Sequence, residues 1–155
     1  MTLIEVKDKQ STRDFLDVPK LLYKDDPNWI CPLDVEVENT FNPARNSCFN
    51  HGDARRWIIK EEGKLVGRIA AFYDKNKAYH NPQPTGGIGF FECINNEAAA
   101  FQLFDAAKDW LASQGMQAMD GPVNFGENFV NWGLLVEGFM PQGYGMPYNF
   151  PYYRN

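Results

Sequence analysis

The sequence predicts an α+β domain, on the evidence of one hairpin and one strand–helix unit. Two runs rich in β-branched and aromatic residues, Arg55–Lys60 and Lys64–Tyr73, flank the short glycine-containing loop 61–63, which is the pattern of a β-hairpin. A strand-like run at Ile88–Ile94 is followed by a helical pattern that starts at Glu97. The length of 155 residues fits a single domain with a sizeable core.

The N-terminal third predicts one strand and two helices. Alternation at Thr2–Val6 indicates a strand, and Ser11–Asp14 has the Ser-x-x-Asp spacing of a capping box that opens a helix. Pro19 is expected to interrupt or kink this helix, because proline removes a helical donor and clashes with the preceding turn. Pro32 can start a second helix, and the turn formers in residues 41–53 predict a loop.

The predicted helix Glu97–Gln114 is amphipathic. One face carries the apolar residues Ala100, Leu103, Phe104, Ala107, Trp110 and Leu111. The opposite face carries Gln102, Asp105, Asp109 and Ser113. Gly115 is suited to a C-terminal cap because it can adopt a positive φ. We therefore expect this helix to pack its apolar face on the sheet.

The C-terminal region has a different composition. Met116–Phe125 predicts a strand that ends in a turn, whereas glycine, proline and aromatic residues dominate from there onward and only Leu134–Phe139 has strand character. Such an aromatic ending favours docking against another chain or a longer parent protein. The expected organisation is one domain over residues 1–155, truncated or forming the N-terminal part of a longer chain.

Charge and cysteine content narrow the function classes. Fifteen basic and twenty acidic side chains give a net charge of −5, without the basic footprint of a nucleic-acid-binding protein. The three cysteines lack CxxC spacing, which favours a reducing cytoplasm over a disulfide framework. The N-terminus lacks the apolar core of a signal peptide, and no apolar run is long enough to span a bilayer. We expect a cytoplasmic protein without nucleic-acid or membrane partners.

The metal-ligating and nucleophilic residue types form no strong motif. His51 and His80 fall in separate loops, and the scattered cysteines have no zinc spacing, so no metal site is predicted. Cys48 and His51 have the spacing C-x-x-H, which would suit a thiol nucleophile and its base, but no third orienting group can be named, and the sequence favours two polar loop residues.

Two side chains are candidates for proton transfer. Glu92 lies in the strand before the long helix, where α/β folds present side chains to clefts, although simple alternation also allows an outward-facing carboxylate. Tyr144 is one of several C-terminal tyrosines that can supply a phenol, and the others are Tyr148, Tyr152 and Tyr153. Such tyrosines more often bury the ring and solvate the hydroxyl.

Several strings carry a family resemblance. The segments "GKLVGRIAAFYD" and "GIGFFECINNEAAAFQLFDAAKDWLASQG" resemble the second to fourth strands and the third helix of a GNAT acyltransferase domain. Together with "LLYKDDPNWICPL", "GPVNF", "WGLLVEGF" and "MPYNFPYY", they resemble the N-terminal part of a bacterial family of two-lobed GNAT-type N-acetyltransferases. The resemblance covers nearly the whole chain.

The resemblance implies a fold and a chemistry. The fold is a mixed, mostly antiparallel sheet flanked by helices, without the C-terminal helix and two strands of a full GNAT domain. The chemistry is acyl transfer from acetyl-CoA to an amine, with Glu92 as the base and Tyr144 as a second catalytic candidate. By position, the coenzyme A contacts would come from Phe91, Cys93, Ile94, Asn95 and Asn96.

One departure from the family favours a second hypothesis. GNAT domains typically wrap the coenzyme A pyrophosphate with an Arg/Gln-x-x-Gly-x-Gly/Ala loop, but this chain has "INNEAAAF" there. Asn95 or Asn96 can cap the helix and Glu97 complements its dipole, so an anion would meet occupied donors and a carboxylate. The alternative is a non-catalytic GNAT-like lobe for ligand binding or assembly. Its partner would be a second copy or the C-terminal lobe of a longer parent.

Overall fold

The computed structural model describes residues 1–127 and 130–155. The helices are α1 (Lys9–Leu22), α2 (Asp34–Thr40), α3 (Lys75–Ala78) and α4 (Glu97–Ser113). The strands are β1 (Thr2–Glu5), β2 (Gly52–Glu61), β3 (Lys64–Asp74), β4 (Thr85–Cys93) and β5 (Ala118–Asp120). Two 3₁₀ turns lie at Ser47–Asn50 and Pro151–Arg154.

The strands form one sheet in the order β1-β2-β3-β4-β5. The first four are antiparallel neighbours, whereas β5 runs parallel to β4. The β2–β3 hairpin turns at Glu62 and Gly63, whose φ angles of 48° and 78° are the positive values that a tight hairpin turn requires. The predicted α+β fold with a mixed, mostly antiparallel sheet is confirmed.

Helix α1 differs from its prediction at both ends. It begins at Lys9, because Asp8 is the N-cap and accepts from the Ser11 N–H at 2.7 Å while the Ser11 hydroxyl accepts from the Asp8 N–H. Ser11 is therefore the third residue of the first turn and not the cap. Pro19 does not end the helix, which continues to Leu22.

The two faces of the sheet are covered by different helices. Helix α4 buries Leu103, Ala107, Trp110 and Leu111 against one face, as predicted, while its polar residues stay exposed. Ala99 is buried as well, whereas Ala100 and Phe104 of the predicted face are half-buried. Helix α1 covers the other face with Phe15, Leu16 and Val18, which pack against Ile58, Ala70 and Phe72 of the sheet. We call these the α4 face and the α1 face.

The C-terminal region has no strand at Leu134–Phe139, contrary to the sequence prediction. The side chain of Asn149 replaces a neighbouring strand there, because its Oδ1 accepts from the Leu135 N–H at 2.8 Å and its Nδ2 donates to the Leu135 carbonyl at 3.0 Å. Strand propensity was therefore outweighed by a single side-chain amide that satisfies the same backbone groups.

Candidate functional site

A cavity of about 240 Å³ opens where β4 and β5 separate. The two strands pair only through Thr85–Gly87 and Ala118–Asp120, so the rest of β4 has no parallel neighbour. Apolar walls come from Trp29, Ile30, Val37, Leu134, Met146 and Pro147, among others. Polar groups reach it from Arg68, Glu92, Asn131, Tyr148, Asn149 and Tyr153. An apolar pocket with a few convergent polar groups is typical of a small-molecule site.

A β-bulge shapes the floor of this cavity. The β3–β4 register shifts between Arg68, which pairs with Glu92, and Ala70, which pairs with Gly89. Phe90 lies in the bulge with a φ of 56°, a left-handed value that is uncommon for a residue with a large side chain. Bulges bend a strand and redirect its side chains, and they are common beside active sites.

Glu92 is the acidic group of the cavity. The residue is only 9% exposed. The hydroxyls of Tyr23 and Tyr153 both donate to its Oε2, at 2.8 and 2.9 Å, and neither bond uses Oε1. Two hydrogen bonds to one oxygen fix the carboxyl group in the cavity wall.

The pKa of Glu92 is displaced towards neutrality. Burial raises this pKa from 4.5 to about 7, against the opposing effects of the Arg68 charge and of the hydrogen bonds from Tyr23 and Tyr153. A carboxyl group that titrates near pH 7 can take up and release a proton under physiological conditions. The environment therefore suits a general base.

Arg68 is the buried cation beside Glu92. Its Nε donates to the Phe90 carbonyl at 3.0 Å and its Nη1 donates to the Phe15 carbonyl at 2.8 Å. Phe15 lies four residues before Pro19, so its carbonyl has no helical N–H donor, and Arg68 satisfies it. Burial lowers the pKa of Arg68 to about 10, which keeps the guanidinium charged at neutral pH. Arg68 thus connects α1 with the bulge, and its charge lowers the pKa of Glu92.

The C-terminal 3₁₀ turn contacts the end of β4 through two tyrosines. The Cys93 N–H donates to the Tyr153 hydroxyl at 2.7 Å, and the Tyr152 hydroxyl donates to the Cys93 carbonyl at 2.7 Å. An aromatic stack supports this arrangement, since Phe150 stacks on Tyr23 at 4.2 Å and on Tyr152 at 5.1 Å. The turn is therefore placed by ring packing and closes the site beside Glu92.

Asn131 approaches the bulge from the segment that follows β5. Its Oδ1 accepts from the Phe90 N–H at 2.9 Å, and its own N–H donates to Asn124 Oδ1 at 2.9 Å. Its Nδ2 is buried and has no hydrogen-bond partner within residues 1–127 and 130–155. A buried amide donor without an acceptor costs folding free energy and is uncommon in folded proteins.

The predicted site residues are only partly brought together. Glu92 and Phe91 line the cavity. Cys93 is engaged by the two tyrosines, and the Ile94 N–H donates to the Val66 carbonyl across the sheet. The coenzyme A contacts assigned to these positions stay predictions.

Tyr144 lies apart from Glu92, in a smaller pocket next to the main cavity. Its hydroxyl donates to a carboxylate oxygen of Glu36 and accepts from the Leu33 N–H. The Glu36 contact raises the pKa of Tyr144. A catalytic role for Tyr144 stays a prediction.

The N-terminus of α4 is capped by the chain itself. Asn96 is the N-cap, and its Oδ1 accepts from the Ala99 N–H at 3.2 Å. Glu97 places a carboxylate in the first turn. Asn95 precedes the cap. The capped helix expected from the sequence is confirmed, and the cap occupies the Ala99 N–H, a first-turn donor of the kind that a pyrophosphate binds.

The Cys48 and His51 pair is not a nucleophile with its base. Asp74 lies between them, with its Oδ1 at 2.6 Å from His51 Nδ1 and its Oδ2 at 3.6 Å from Cys48 Sγ. Burial and the Asp74 charge raise the pKa of the Cys48 thiol, which therefore stays protonated. Among the described residues, no group of three or more His, Cys, Asp or Glu side chains could hold a metal ion.

Sequence reasoning missed three residues of the site, namely Tyr23, Arg68 and Asn131. Arg68 carried a signal, because an arginine within the apolar run of β3 is unusual in a buried strand. No local sequence pattern marks Tyr23 or Asn131 as a site residue, because their hydrogen-bond partners, Glu92 and Phe90, are 69 and 41 residues away in the chain.

The chain has the fold of the GNAT acyltransferase superfamily. The predicted acetyltransferase of Clostridium acetobutylicum, solved with acetyl-CoA, matches with a TM-score of 0.55 and 17% identity over 79% of this chain and 80% of that chain. AAC(6')-Iy, in complex with the bisubstrate analog CoA-S-monomethyl-acetylneamine, matches with a TM-score of 0.55 and 13% identity. The match covers 80% of this chain and 81% of that chain.

A tandem GNAT protein from the clavulanic acid biosynthesis pathway matches with a TM-score of 0.53 and 15% identity, over 74% of this chain and 34% of that one. Among curated proteins, the chain is 37% identical to Protein YghO of Escherichia coli (strain K12) over 146 residues. It is 35% identical over 144 residues to the bacterial ceramide synthase of Caulobacter vibrioides.

These two alignments include 94% and 90% of this chain but only 37% and 36% of the relatives' own lengths. No protein-family profile matches the chain. No helix among residues 1–127 and 130–155 is long and apolar enough to cross a membrane.

Proposed function

We propose that this chain carries the acyl-transfer site of a GNAT-type N-acyltransferase, which moves an acyl group from coenzyme A to an amine. The observation that carries the proposal is Glu92, a buried carboxyl group with a pKa of about 7 that is held in the wall of an apolar cavity. GNAT-fold structures solved with acetyl-CoA or a coenzyme A analog support the donor assignment. The three cysteines are free, in agreement with a cytoplasmic location.

The residues fit the acyl end of the donor better than its phosphate end. The cavity beside the bulge offers apolar walls and polar groups for a thioester, whereas the α4 N-terminus presents Asn96 and Glu97 where a pyrophosphate would need free donors. The bound donor supplies an activated carbonyl carbon. We therefore place the acyl group in the cavity and assign no phosphate contact to α4.

Glu92 acts as the base in this mechanism. Its carboxylate accepts a proton from the amine as nitrogen attacks the carbonyl, and Tyr23 and Tyr153 hold it in position for that transfer. Arg68 stabilises the carboxylate form by its charge. The apolar walls exclude water and so limit hydrolysis of the thioester.

The walls also favour one class of substrate. Among the described residues, Arg68 and Glu92 are the only charged side chains that line the cavity. A polycationic sugar would need several acidic groups, whereas an amine or acyl group with a hydrocarbon body matches apolar walls and a single carboxyl group. The similarity to a protein named bacterial ceramide synthase agrees with an apolar substrate.

The test combines binding and turnover. Acetyl-CoA and palmitoyl-CoA are titrated into the protein by calorimetry, and each is then incubated with sphinganine or kanamycin while amide products are followed by mass spectrometry. We expect palmitoyl-CoA to bind and sphinganine to be acylated in preference to kanamycin. Absence of binding by both thioesters at millimolar concentration would refute the proposal for this chain.

A second function is favoured by specific observations. The capped α4 N-terminus and the tyrosines on Cys93 occupy groups that a coenzyme would use, and Trp132, Val136 and Met140 expose apolar side chains. These features suit a non-catalytic lobe that assembles with a second copy or with a second GNAT lobe, as in a tandem GNAT protein. Sedimentation equilibrium that finds a monomer at high concentration would exclude the homodimer.

A further inference from the structure

The side-chain amide of Asn131 has a fixed orientation over the bulge of β4. Its Oδ1 faces the Phe90 N–H at 2.9 Å. A Cβ built on Gly89 would lie 3.2 Å from the Asn131 Cγ, so this side chain packs directly on the strand. Because a backbone N–H can only donate, the atom that faces it must be the amide oxygen, and Nδ2 must be the other atom.

The remaining half of the amide is a donor without an acceptor. Nδ2 is buried and has no partner among the described residues, although Asn131 lines the same cavity as Glu92. A buried donor without an acceptor costs free energy, and a ligand that presents an acceptor oxygen would satisfy it. Nδ2 thus specifies the chemistry of its missing partner.

We propose that Asn131 Nδ2 donates a hydrogen bond to the carbonyl oxygen of the acyl group that the cavity binds. This inference rests on the proposed function and assigns the carbonyl position within that site. Glu92 and Asn131 then have complementary roles, since one takes the proton of the amine and the other stabilises the oxygen.

The acyl transfer develops a negative charge on this carbonyl oxygen. When the amine nitrogen bonds to the carbonyl carbon, the π electron pair moves to oxygen, which becomes negative beside Nδ2. As the pair returns, the carbon–sulfur bond breaks and its electrons leave with sulfur. Glu92 takes one proton from nitrogen and then returns it, through solvent, to the departing sulfur. Glu92 is thereby regenerated as a carboxylate, and the products are an amide and the thiol form of coenzyme A.

Two contacts make Asn131 a better donor than an exposed asparagine. The bond from the Phe90 N–H to Oδ1 polarises the amide and strengthens the hydrogen bond that Nδ2 can donate. The bond from the Asn131 N–H to Asn124 fixes the backbone from which the side chain extends. A donor that is oriented before the reaction stabilises a developing oxyanion without reorganisation.

The experiment compares two coenzyme A derivatives that differ only in this oxygen. Acetyl-CoA has the carbonyl, whereas the thioether ethyl-CoA has a methylene in its place. Calorimetry on the full chain should show acetyl-CoA binding roughly 3- to 10-fold more tightly, the range of one neutral hydrogen bond. Asn131→Asp keeps the acceptor for Phe90 but removes the donor, so it should abolish this preference.

The matched control is Asn124→Asp, which adds the same charge nearby, keeps an acceptor oxygen and should retain the preference. Asn131→Asp should also lower kcat by about 10²–10³-fold, as expected for the loss of one oxyanion donor. Asn131→Ala provides a second variant if the aspartate does not fold.

Three outcomes contradict the proposals in different ways. If the wild type binds neither of these derivatives nor palmitoyl-CoA, the proposed function fails and this inference fails with it. Equal wild-type affinity for the two derivatives would overturn the inference alone, without recourse to any variant. A preference that persists in Asn131→Asp and in Asn131→Ala would assign the carbonyl to another donor.

Discussion

The α4 face and the α1 face of the sheet bury comparable apolar side chains but differ in charge. The α4 face is held by residues such as Ile59, Ile69 and Leu103, which are all fully buried. The α1 face places Arg68 and Glu92 among aromatic rings at 5% and 9% exposure. Burying charge costs free energy that apolar packing does not, so the α1 face carries groups that stability alone does not explain.

The largest effect is expected from removing the acidic group of the α1 face. Glu92→Gln keeps the shape of the side chain but cannot accept the amine proton, so kcat/KM should fall about 10²–10⁴-fold. A steady-state assay of amide formation at pH 8 checks this. Glu97→Gln, on an exposed first turn, is the control and should retain activity. Equal rates for Glu92→Gln and the wild type would remove Glu92 from the mechanism.

The next effect tests the α4 face. Leu103→Ala removes a side chain with no exposed surface, and the loss of burial together with the cavity left behind should lower the free energy of unfolding by about 2–5 kcal/mol. Urea denaturation measures it, with Phe101→Ala on the exposed side of the same helix as the control. If both variants lost equal stability, burial of Leu103 on the α4 face would contribute no more to the free energy of unfolding than an exposed position on the same helix.

The pH dependence of stability distinguishes the two faces directly. The pKa of Glu92 rises from 4.5 in the unfolded chain to about 7 in the folded one, so the folded chain binds the proton more tightly. Its contribution to stability therefore decreases as pH rises from about 4.5 to about 7, by on the order of 3 kcal/mol.

Urea denaturation of the wild type and of Glu92→Gln across this pH range isolates the contribution. The difference between the two curves should change over that window and be flat above it. Leu103→Ala should keep the wild-type pH dependence at a lower overall stability. A constant difference between the wild type and Glu92→Gln would show that this carboxyl group has an ordinary pKa in the folded protein.

A smaller effect is expected from the tyrosines that hold the carboxylate. Tyr23→Phe or Tyr153→Phe removes a hydrogen bond to the charged form and should raise the pKa of Glu92 by about one pH unit. The midpoint of the pH–kcat/KM profile, or the carboxyl band in infrared difference spectra, reports the change.

Tyr144→Phe is the matched control for these variants, because its hydroxyl contacts Glu36 and not Glu92. We expect an unchanged midpoint. If Tyr144→Phe loses rate while the midpoint of its pH profile stays unchanged, the result would support the phenol role predicted for Tyr144. If the midpoint stays unchanged in both Tyr23→Phe and Tyr153→Phe, the influence of these tyrosines on the pKa of Glu92 is refuted.

The smallest effect concerns the α4 N-terminus. Asn96→Ala removes the cap and should lower the free energy of unfolding by about 1 kcal/mol, whereas Asn96→Gly should cost only a few tenths. Thermal unfolding followed by circular dichroism measures both. If Asn96→Gly bound acetyl-CoA more tightly than the wild type, the cap would be competing with a phosphate, and the assignment of the phosphate away from α4 would be wrong.

Local patterns predicted the regular elements well because each depends on residues close in the chain. The α4 helix follows from apolar spacing, an asparagine cap and Gly115, whose φ is 88°. Predictions failed where a distant group decided the outcome. Arg68 satisfies the carbonyl that Pro19 leaves without a helical donor, and Asn149 satisfies the N–H and the carbonyl of Leu135 within the predicted strand Leu134–Phe139.

Of the candidate site, the sequence predicted only the part that lies on β4. Glu92 could be selected because it lies at the end of an apolar strand before a helix, a position that is local information. Its partners could not, since Tyr23 and Tyr153 come from opposite ends of the chain, 69 and 61 residues away. Hydrogen bonds between such distant residues depend on how the elements pack and have no periodicity that a sequence displays.

The sequence by itself determined the hairpin, the capped α4 helix, the α+β class and the carboxyl group on β4. Each of these depends on backbone preferences and side-chain spacing over a few residues. Only the tertiary structure decided that β4 and β5 separate into a cavity, that Glu92 is buried beside Arg68, and that Asn131 lines the same cavity with a buried amide donor that has no partner among the described residues. Burial and electrostatics depend on everything that surrounds a group in space, and the folded chain alone defines those surroundings.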